Sequence, residues 1–296
     1  MKIGIAGTGR MGAAIAQRLL GLGHEVAVWN RTAEKTRPLA AAGAKVAATP
    51  SQLASASETV VTILTDATAI AAAYHSGEGL LSGDVTGKLF VEMSTVRPSV
   101  PQEMSAKMKA KGAAFVECPV GGTTGPAREG KLFGFAGGEP GDVERAMPIL
   151  KQMCRRVEHV GPAGAGARMK LAINLPLLVY WQALGEALSL VRELKIEPAR
   201  LMDILADTSG AASMMKNRAP TIAAALGGKE PGVTSNIDMM RKDLGEMLAE
   251  ARALGWQAPV TERALQCFDY ASRQGLGGKD CVMLPVNWSA KPQRLG

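Results

Sequence analysis

A lysine and an asparagine four residues apart, and three glycines near the start of the chain, have the types and spacing to do chemistry. Lys170 and Asn174 share one face of a helix at that spacing. They lie inside an apolar run of Met169, Leu171, Ala172, Ile173 and Leu175. Desolvation and nearby positive charge lower a lysine pKa, which makes such an ammonium group a usable proton donor near neutrality. The plainer alternative is a lysine snorkelling from a helix end, and the local pattern leaves both open. Pro176 removes a helical hydrogen bond and crowds the preceding turn, so a kink is expected just past the pair. Lys242 and Asp243 form a second polar pair among Met239, Met240, Leu244, Met247 and Leu248. Spacing alone makes these two an ordinary solvated helix start.

Gly7, Gly9 and Gly12 form a G-x-G-x-x-G run between an apolar strand, Lys2–Ala6, and a run of helix formers, Ala13–Leu20. The first glycine permits a tight bend, and the second removes the side chain where a pyrophosphate must approach the backbone. The third lets helix and strand pack closely. The helix N-terminus offers free N–H groups and a positive dipole end to phosphate. A lone G-x-G-x-x-G is weak, but a second strand, Glu25–Trp29, completes the βαβ context that confirms it. Gly7, Thr8, Gly9, Arg10 and Met11 are therefore assigned to cofactor binding, against the alternative of a mere tight turn.

The tip of the second strand selects the dinucleotide. NAD sites place Asp or Glu there to hold the ribose 2′-OH; this chain has Asn30, Arg31 and Thr32, with Lys35 a turn further. A planar guanidinium grips a 2′-phosphate with two parallel bonds, and Lys35 and the Thr32 hydroxyl add to it. The expected cofactor is NADPH. A solvated loop with a helix cap at Thr32 is the plain alternative.

Strand and helix alternate through the first half. Thr59–Leu64, Leu89–Met93, Ala114–Val116, Leu132–Ala136 and Val157–Val160 read as strands. Ser51–Ala56, Ala67–Ala73, Pro101–Lys111 and Glu139–Leu150 read as helices. That alternation predicts an α/β fold, a mostly parallel sheet covered on both faces, with ligands at the carboxyl ends of the strands. Leu64, Thr65 and Asp66 follow one such end and Ser94 and Thr95 another, as candidates to line the cofactor; Ser94 and Thr95 could equally cap the next helix. The stretch from Cys118 to Gly130 concentrates glycines and hydroxyls, and serves either to present backbone N–H groups to a carboxylate or as a flexible connection.

After Gly166 the pattern is helical only: a long helix over about Ala167–Leu194, then Pro198–Thr208, Ala211–Leu226, Ile237–Leu254 and Pro259–Gln274. Two domains are expected: a Rossmann dinucleotide-binding domain over 1–163, and an all-α domain over 164–296 that opens with the long helix. The boundary is put at the run GPAGAG, Gly161–Gly166.

Composition narrows the function classes. At 296 residues the chain is long enough for two cores, and 47% hydrophobic with 21% charged residues suits a soluble globular protein. Aromatic residues are only 4%, which argues against a base-stacking surface. The net charge of +7 suits anionic ligands. Its basic residues are scattered, and Lys107, Lys109 and Lys111 read as a wet helix face rather than a nucleic-acid patch. Cys118, Cys154, Cys267 and Cys281 form no C-x-x-C pair and read as reduced thiols. His24, His75 and His159 are isolated in sequence, so no metal site is expected. The opening residues read as a strand, so no signal peptide is expected, and no apolar stretch is expected to approach the roughly 20 residues of a membrane span. A cytoplasmic protein with no membrane or nucleic-acid partner follows from that reading.

The motifs GIAGTGRMG, EMSTV, CPVGGTTGPAREGKL, GAGARMKLAIN and KDLGEML, in that order over nearly the whole chain, resemble the β-hydroxyacid dehydrogenase family. That family includes 3-hydroxyisobutyrate dehydrogenases and glyoxylate/succinic semialdehyde reductases. The resemblance implies an NADP-dependent oxidoreductase that moves hydride between nicotinamide and a small aldehyde acid, keto acid or hydroxy acid. Lys170 matches the family's catalytic proton donor, and Asn174 the asparagine that helps hold the substrate. Gly121, Gly122 and Thr123 fall in the substrate loop, while Thr95 and Lys242 match positions that contact the cofactor. Asn30, Arg31, Thr32 and Lys35 match NADPH-using members. Gly121 stands where serine is usual and Ile173 where many hydroxyisobutyrate enzymes carry asparagine, which favours the semialdehyde reductase branch. An imine reductase shares the plan but usually lacks a lysine at position 170. A 6-phosphogluconate dehydrogenase needs a larger helical domain and a histidine at 173. A non-catalytic dinucleotide sensor is the alternative outside enzymes. The alanine- and methionine-rich helical domain suggests a homodimer or homotetramer.

Overall fold

The computed structural model describes residues 1–291 and 293. It divides into two compact units, Met1–Lys170 and from Leu171 on. The last positions of the expected second domain, 292 and 294–296, lie outside the described residues.

The first unit is built on a nine-stranded sheet. Its strands are β1 Lys2–Ala6, β2 Glu25–Trp29, β3 Lys45–Val46, β4 Thr59–Thr62, β5 Leu89–Glu92, β6 Ala114–Glu117, β7 Val120–Gly121, β8 Leu132–Gly138 and β9 Cys154–Gly161. The spatial order is β3-β2-β1-β4-β5-β6-β8-β7, with β9 paired to β8. From β3 to β6 every pairing is parallel. Strand β8 runs antiparallel to β6 and β7, and parallel to β9. The helices are α1 Arg10–Gly21, α2 Arg37–Ala41, α3 Pro50–Ser55, α4 Ala67–His75, α5 Ser99–Ala110, α6 Thr124–Glu129 and α7 Pro140–Met153.

Alternation along the strands shows why both faces are covered. Successive strand residues point to opposite faces. Val61, Val91 and Val116 enter one apolar cluster with Ile15 and Leu19 of α1 and Ile149 and Leu150 of α7. Their neighbours Val60, Phe90 and Phe115 enter another with Leu53 of α3, Tyr74 of α4 and Met104 of α5. A strand buried on both faces reads as a continuous apolar run, and β4, β5 and β6 are wholly buried. The two-residue strands β3 and β7 and the short helices α2 and α6 are too brief to leave such a pattern.

The second unit is helical. The long helix α8 Ala165–Leu190 enters it, followed by α9 Pro198–Ala206, α10 Ser213–Leu226, α11 Ile237–Ala253, α12 Pro259–Ala271 and α13 Met283–Ala290. Leu171, Leu178, Trp181, Leu184 and Leu188 of α8 form a buried stripe with Met202, Met215, Leu244 and Phe268. A helix seated in a core reads as apolar nearly all round. This corrects the expectation about apolar length: α8 is the one helix among the described residues long and apolar enough to cross a membrane, and its apolar stripe belongs to this core. Pro176 lies inside α8, which continues through it to Leu190 although proline has no N–H to give to the preceding turn. Asp280 is a buried anchor: it accepts from Arg218 of α10, from the Thr234 amide at 2.7 Å and from the Val282 amide at 3.1 Å.

Candidate active site

The glycine turn forms as its sequence requires. Gly7 has φ +98, and its N–H donates to the Trp29 carbonyl at 2.9 Å. A Cβ on Gly7 would fall on the Ile63 carbonyl oxygen, and one on Gly12 on the Gly7 carbonyl oxygen. A Cβ on Gly9 would meet nothing within 4 Å. Gly7 and Gly12 thus let the backbone close on itself, whereas Gly9, the N-cap of α1, leaves the approach open. Thr8 is buried, and its Oγ1 has no hydrogen-bond partner among the described residues. An orphaned hydroxyl beside an open helix N-terminus is what a pyrophosphate would complete, so the turn fits a dinucleotide. Arg10 is exposed at the first position of α1, and Met11 packs on the core. Gly12→Ala is expected to lower the unfolding midpoint, since overpacking of this kind costs about 1–3 kcal/mol, and to remove the dinucleotide-induced rise in a thermal-shift titration. A variant matching wild type in both would contradict the close packing.

At the β2 tip, the Asn30 amide is committed to the backbone. Its Oδ1 accepts from Thr8 N–H at 3.0 Å and its Nδ2 donates to the Thr32 carbonyl at 2.9 Å. Asn30 therefore ties the strand end to the glycine turn. Arg31, Thr32 and Lys35 are exposed beyond it. Thr32 precedes a 3₁₀ turn over Ala33–Thr36 without a side-chain cap bond, so the cap alternative does not hold.

Between β4 and β5 the sequence hid a polar network. Glu92, only 1% exposed, accepts from Thr62 Oγ1 at 2.6 Å through Oε2 and from Ser94 N–H at 2.8 Å through Oε1. Thr62 spends its one hydroxyl proton on Glu92, so the Tyr74 hydroxyl 2.9 Å away donates to Thr62. Burial pushes the Glu92 carboxyl up from its usual range and the Tyr74 phenol well up. Ser94 Oγ then accepts from Leu64 N–H at 2.7 Å, joining the two strand ends expected to line the cofactor. The capping alternative is corrected for Ser94. Helix α5 starts at Ser99 with Pro98, which has no side-chain acceptor, in the cap position, and the Ser94 hydroxyl is spent on Leu64. Thr95 is half-buried next to it and Thr65 exposed, while Asp66 caps α4 through the Ala69 amide at 2.8 Å.

The glycine- and hydroxyl-rich stretch is ordered. Gly121 pairs with Phe133 in β7, Gly122 has φ +123, and Thr123 precedes α6. Arg128 Nε donates to Gln17 Oε1 at 2.9 Å, pinning α6 to α1. The nearest atoms to a Cβ on Gly121 would be 3.9 Å away, so its lack of a side chain is not forced by packing.

Lys170 is a buried charged residue, 9% exposed, in the second turn of α8. The start of that helix is held by a second carboxylate that the sequence did not reveal. Glu117, 2% exposed at the end of β6, accepts from the Gly164 and Gly166 amides through Oε1, the latter at 2.9 Å, and from the Ala167 amide at 3.1 Å through Oε2. Thr62, Glu92, Glu117 and Gly137 are register partners across β4, β5, β6 and β8. Burial raises the Glu117 carboxyl to about 7, with the neighbouring Glu92 charge adding to it against the three amides. Between about pH 4.5 and about 7 the folded chain thus holds a proton that the unfolded chain releases, so this group's stabilisation fades as pH rises through that window. The thermal midpoint of wild type relative to Glu117→Gln is expected to fall across it; a difference independent of pH would contradict the raised carboxyl.

In the second unit, Asn174 is half-buried on α8, one turn beyond position 170, and Ile173 is exposed. Lys242 on α11 pairs with Asp243 at 2.7 Å. All four cysteines are free and buried. Burial raises the thiols of Cys154 and Cys281 to about 12, which removes them as nucleophiles. Among the described residues no group of His, Cys, Asp and Glu could hold a metal.

Residues 2–161 match the family model described as the NAD binding domain of 6-phosphogluconate dehydrogenase. Residues 164–285 match that described as NAD-binding of NADP-dependent 3-hydroxyisobutyrate dehydrogenase. The chain is 31% identical to 3-sulfolactaldehyde reductase of Escherichia coli over 97% of its own length and 93% of that protein's. It is 30% identical to glyoxylate/succinic semialdehyde reductase 1 of Arabidopsis thaliana over 95% and 96%. Among solved structures, a 3-hydroxyisobutyrate dehydrogenase from Salmonella typhimurium superposes with a TM-score of 0.86 at 25% identity, covering 96% of this chain and 99% of that one. Psf3 in complex with NADP+ and 2-OPP gives 0.85 at 26%, covering 95% and 98%. A reductive aminase from Aspergillus terreus is more distant, at 0.64 and 25%, covering 96% and 97%.

A glycine cradle on a parallel sheet, followed by a helical unit with these relatives, defines an NAD(P)-dependent oxidoreductase acting on CH–OH groups. Within that class, the chain belongs to the β-hydroxyacid dehydrogenase family.

Proposed function

We propose that the protein is an NADPH-dependent reductase of small aldehydes or keto acids that carry a carboxylate or another anionic group, with Lys170 as the proton donor. The observation that carries this reading is a lysine only 9% exposed in the second turn of α8. A buried ammonium group is costly, and here it coincides with the position of the family's proton donor.

Gly7, Thr8 and Gly9 would hold the pyrophosphate, and Arg31 with Lys35 the 2′-phosphate, since no carboxylate stands at the β2 tip to favour a free 2′-OH. When bound, NADPH supplies the hydride for the carbonyl carbon. Lys170 delivers the proton to the carbonyl oxygen, and Asn174, one turn on, orients the same oxygen. The backbone around Gly122 and Thr123 receives the substrate's anionic group. Gly121 brings no hydroxyl to that contact, which leaves space for substrates other than 3-hydroxyisobutyrate.

An imine-reducing activity is the second reading, supported by the Aspergillus terreus structure; the buried Lys170 favours carbonyl reduction over it. A screen that follows NADPH absorbance decides between them, using glyoxylate, succinic semialdehyde, bulkier ketones and a cyclic imine. Oxidation fastest with an aldehyde acid is expected. Oxidation with the imine alone would replace the proposal, and NADPH binding without oxidation by any compound would make the protein a sensor.

A further inference from the structure

We propose that Glu117 is a positioning residue for Lys170: its carboxylate fixes the start of α8 and so sets where the ammonium group is presented. The proposal rests on the reading of Lys170 as proton donor.

The first N–H groups of a helix have no partner within it. At the start of α8 three amides, that of Gly164 just before it and those of Gly166 and Ala167 in its first turn, converge on one carboxylate from a strand some fifty positions earlier in sequence. Ordinary helix caps come from the residue next to the helix. Lys170 stands four residues after Gly166 and three after Ala167, on the turn directly above the clamped amides. Moving the clamp moves the lysine.

The surroundings are shaped for this carboxylate. A Cβ on Gly137 would fall on Glu117 Oε1, and one on Gly166 on the Phe135 carbonyl oxygen, 3.3 Å from Glu117 Cδ. Gly164 holds φ +98, where a Cβ would meet Gln102 Nε2 at 2.7 Å. Gly137 and Gly166 thus close around a side chain that is 2% exposed, and Gly164, held against Gln102, turns its amide to the same carboxylate. A carboxylate needed only to fill space would be replaceable by an apolar residue, and its three bonds would not all end on the helix that bears the lysine.

Glu117→Gln keeps the volume but turns an N–H₂ group toward at least one of the amides. The expected result is a fall in kcat of about 10-fold or more, since small misplacements of a reacting group carry penalties of that order. The NADPH dissociation constant and substrate KM should stay close to wild type. Amide hydrogen exchange in a peptide spanning residues 163–170 should accelerate. Glu117→Asp retains the charge on a shorter arm and serves if the glutamine variant does not fold; its kcat should fall in the same way. Wild-type kcat with unchanged exchange, or equal losses in kcat and NADPH binding, would overturn the positioning role. Lys170→Ala measured alongside separates the two claims. If it turns over normally, the donor assignment is lost; if it is inactive while Glu117→Gln is as fast as wild type, the positioning role alone is lost.

Discussion

Replacing Lys170 by alanine lowers kcat for carbonyl reduction by about 10²-fold or more, the usual worth of a positioned general acid, and leaves NADPH affinity unchanged. The substitution removes the ammonium group that would meet the developing alkoxide. It does not touch the glycine turn or the β2 tip, where the dinucleotide's phosphates would bind. The side chain is almost fully covered, so alanine also leaves a small cavity, and the thermal midpoint has to be followed to separate stability from chemistry. Lys170→Arg is the sharper companion, because a guanidinium keeps the charge but cannot deprotonate in proteins. It should rescue folding and not turnover. Steady-state kinetics with NADPH titrated independently by fluorescence reads both quantities; near-wild-type kcat in the alanine variant removes Lys170 from its role.

Arg31→Ala weakens NADPH binding by about 10- to 150-fold, the range that follows from about 1.5–3 kcal/mol for a hydrogen bond to a charged group, and changes NADH binding little. The physical reason is local. A 2′-phosphate would bring charge to Arg31, Lys35 and the Thr32 hydroxyl, whereas a 2′-OH is held best by a carboxylate at the strand tip, and none stands at positions 30–33. Arg31 and Lys35 are both exposed, so their contacts are screened by salt, and the NADPH preference should itself narrow as ionic strength rises. Equal losses for NADPH and NADH would show that Arg31 supports the loop rather than the phosphate.

The elements that place these residues were largely legible. The strands of β1, β2, β4, β5 and β6 advertise themselves because burial on both faces demands continuous apolar runs, and the glycine turn because Gly7 and Gly12 have no room for a side chain while Gly9 leaves the helix end open. The carboxylates were not legible. LFVE and AFVE, ending β5 and β6, look like strands leaving the core for water, yet both glutamates stay inside. Their partners, Thr62 and Ser94 for one and the amides of residues 164–167 for the other, are mostly far away in sequence, and local patterns carry no trace of such pairings. GPAGAG reads as a boundary because the strand pattern stops after it; what the sequence does not show is that the Gly164 and Gly166 amides bind Glu117, with Gly166 packed against its carboxyl. The compact first unit extends to Lys170, while the two family models meet at residues 161 and 164. Helix α6 escaped notice because Gly125 and Pro126 lower its propensity; its contact with α1 through Arg128 and Gln17 is tertiary.

The most direct test is isotopic. NADPH carrying deuterium at the transferable position of its nicotinamide is incubated with the protein and with glyoxylate or succinic semialdehyde, and the hydroxy acid is analysed by mass spectrometry. Wild type is predicted to yield product with deuterium on the carbinol carbon, and Lys170→Ala almost none in the same time although it binds the cofactor equally well. Labelled product formed as fast by the alanine variant, or hydroxy acid formed without deuterium, would contradict the account.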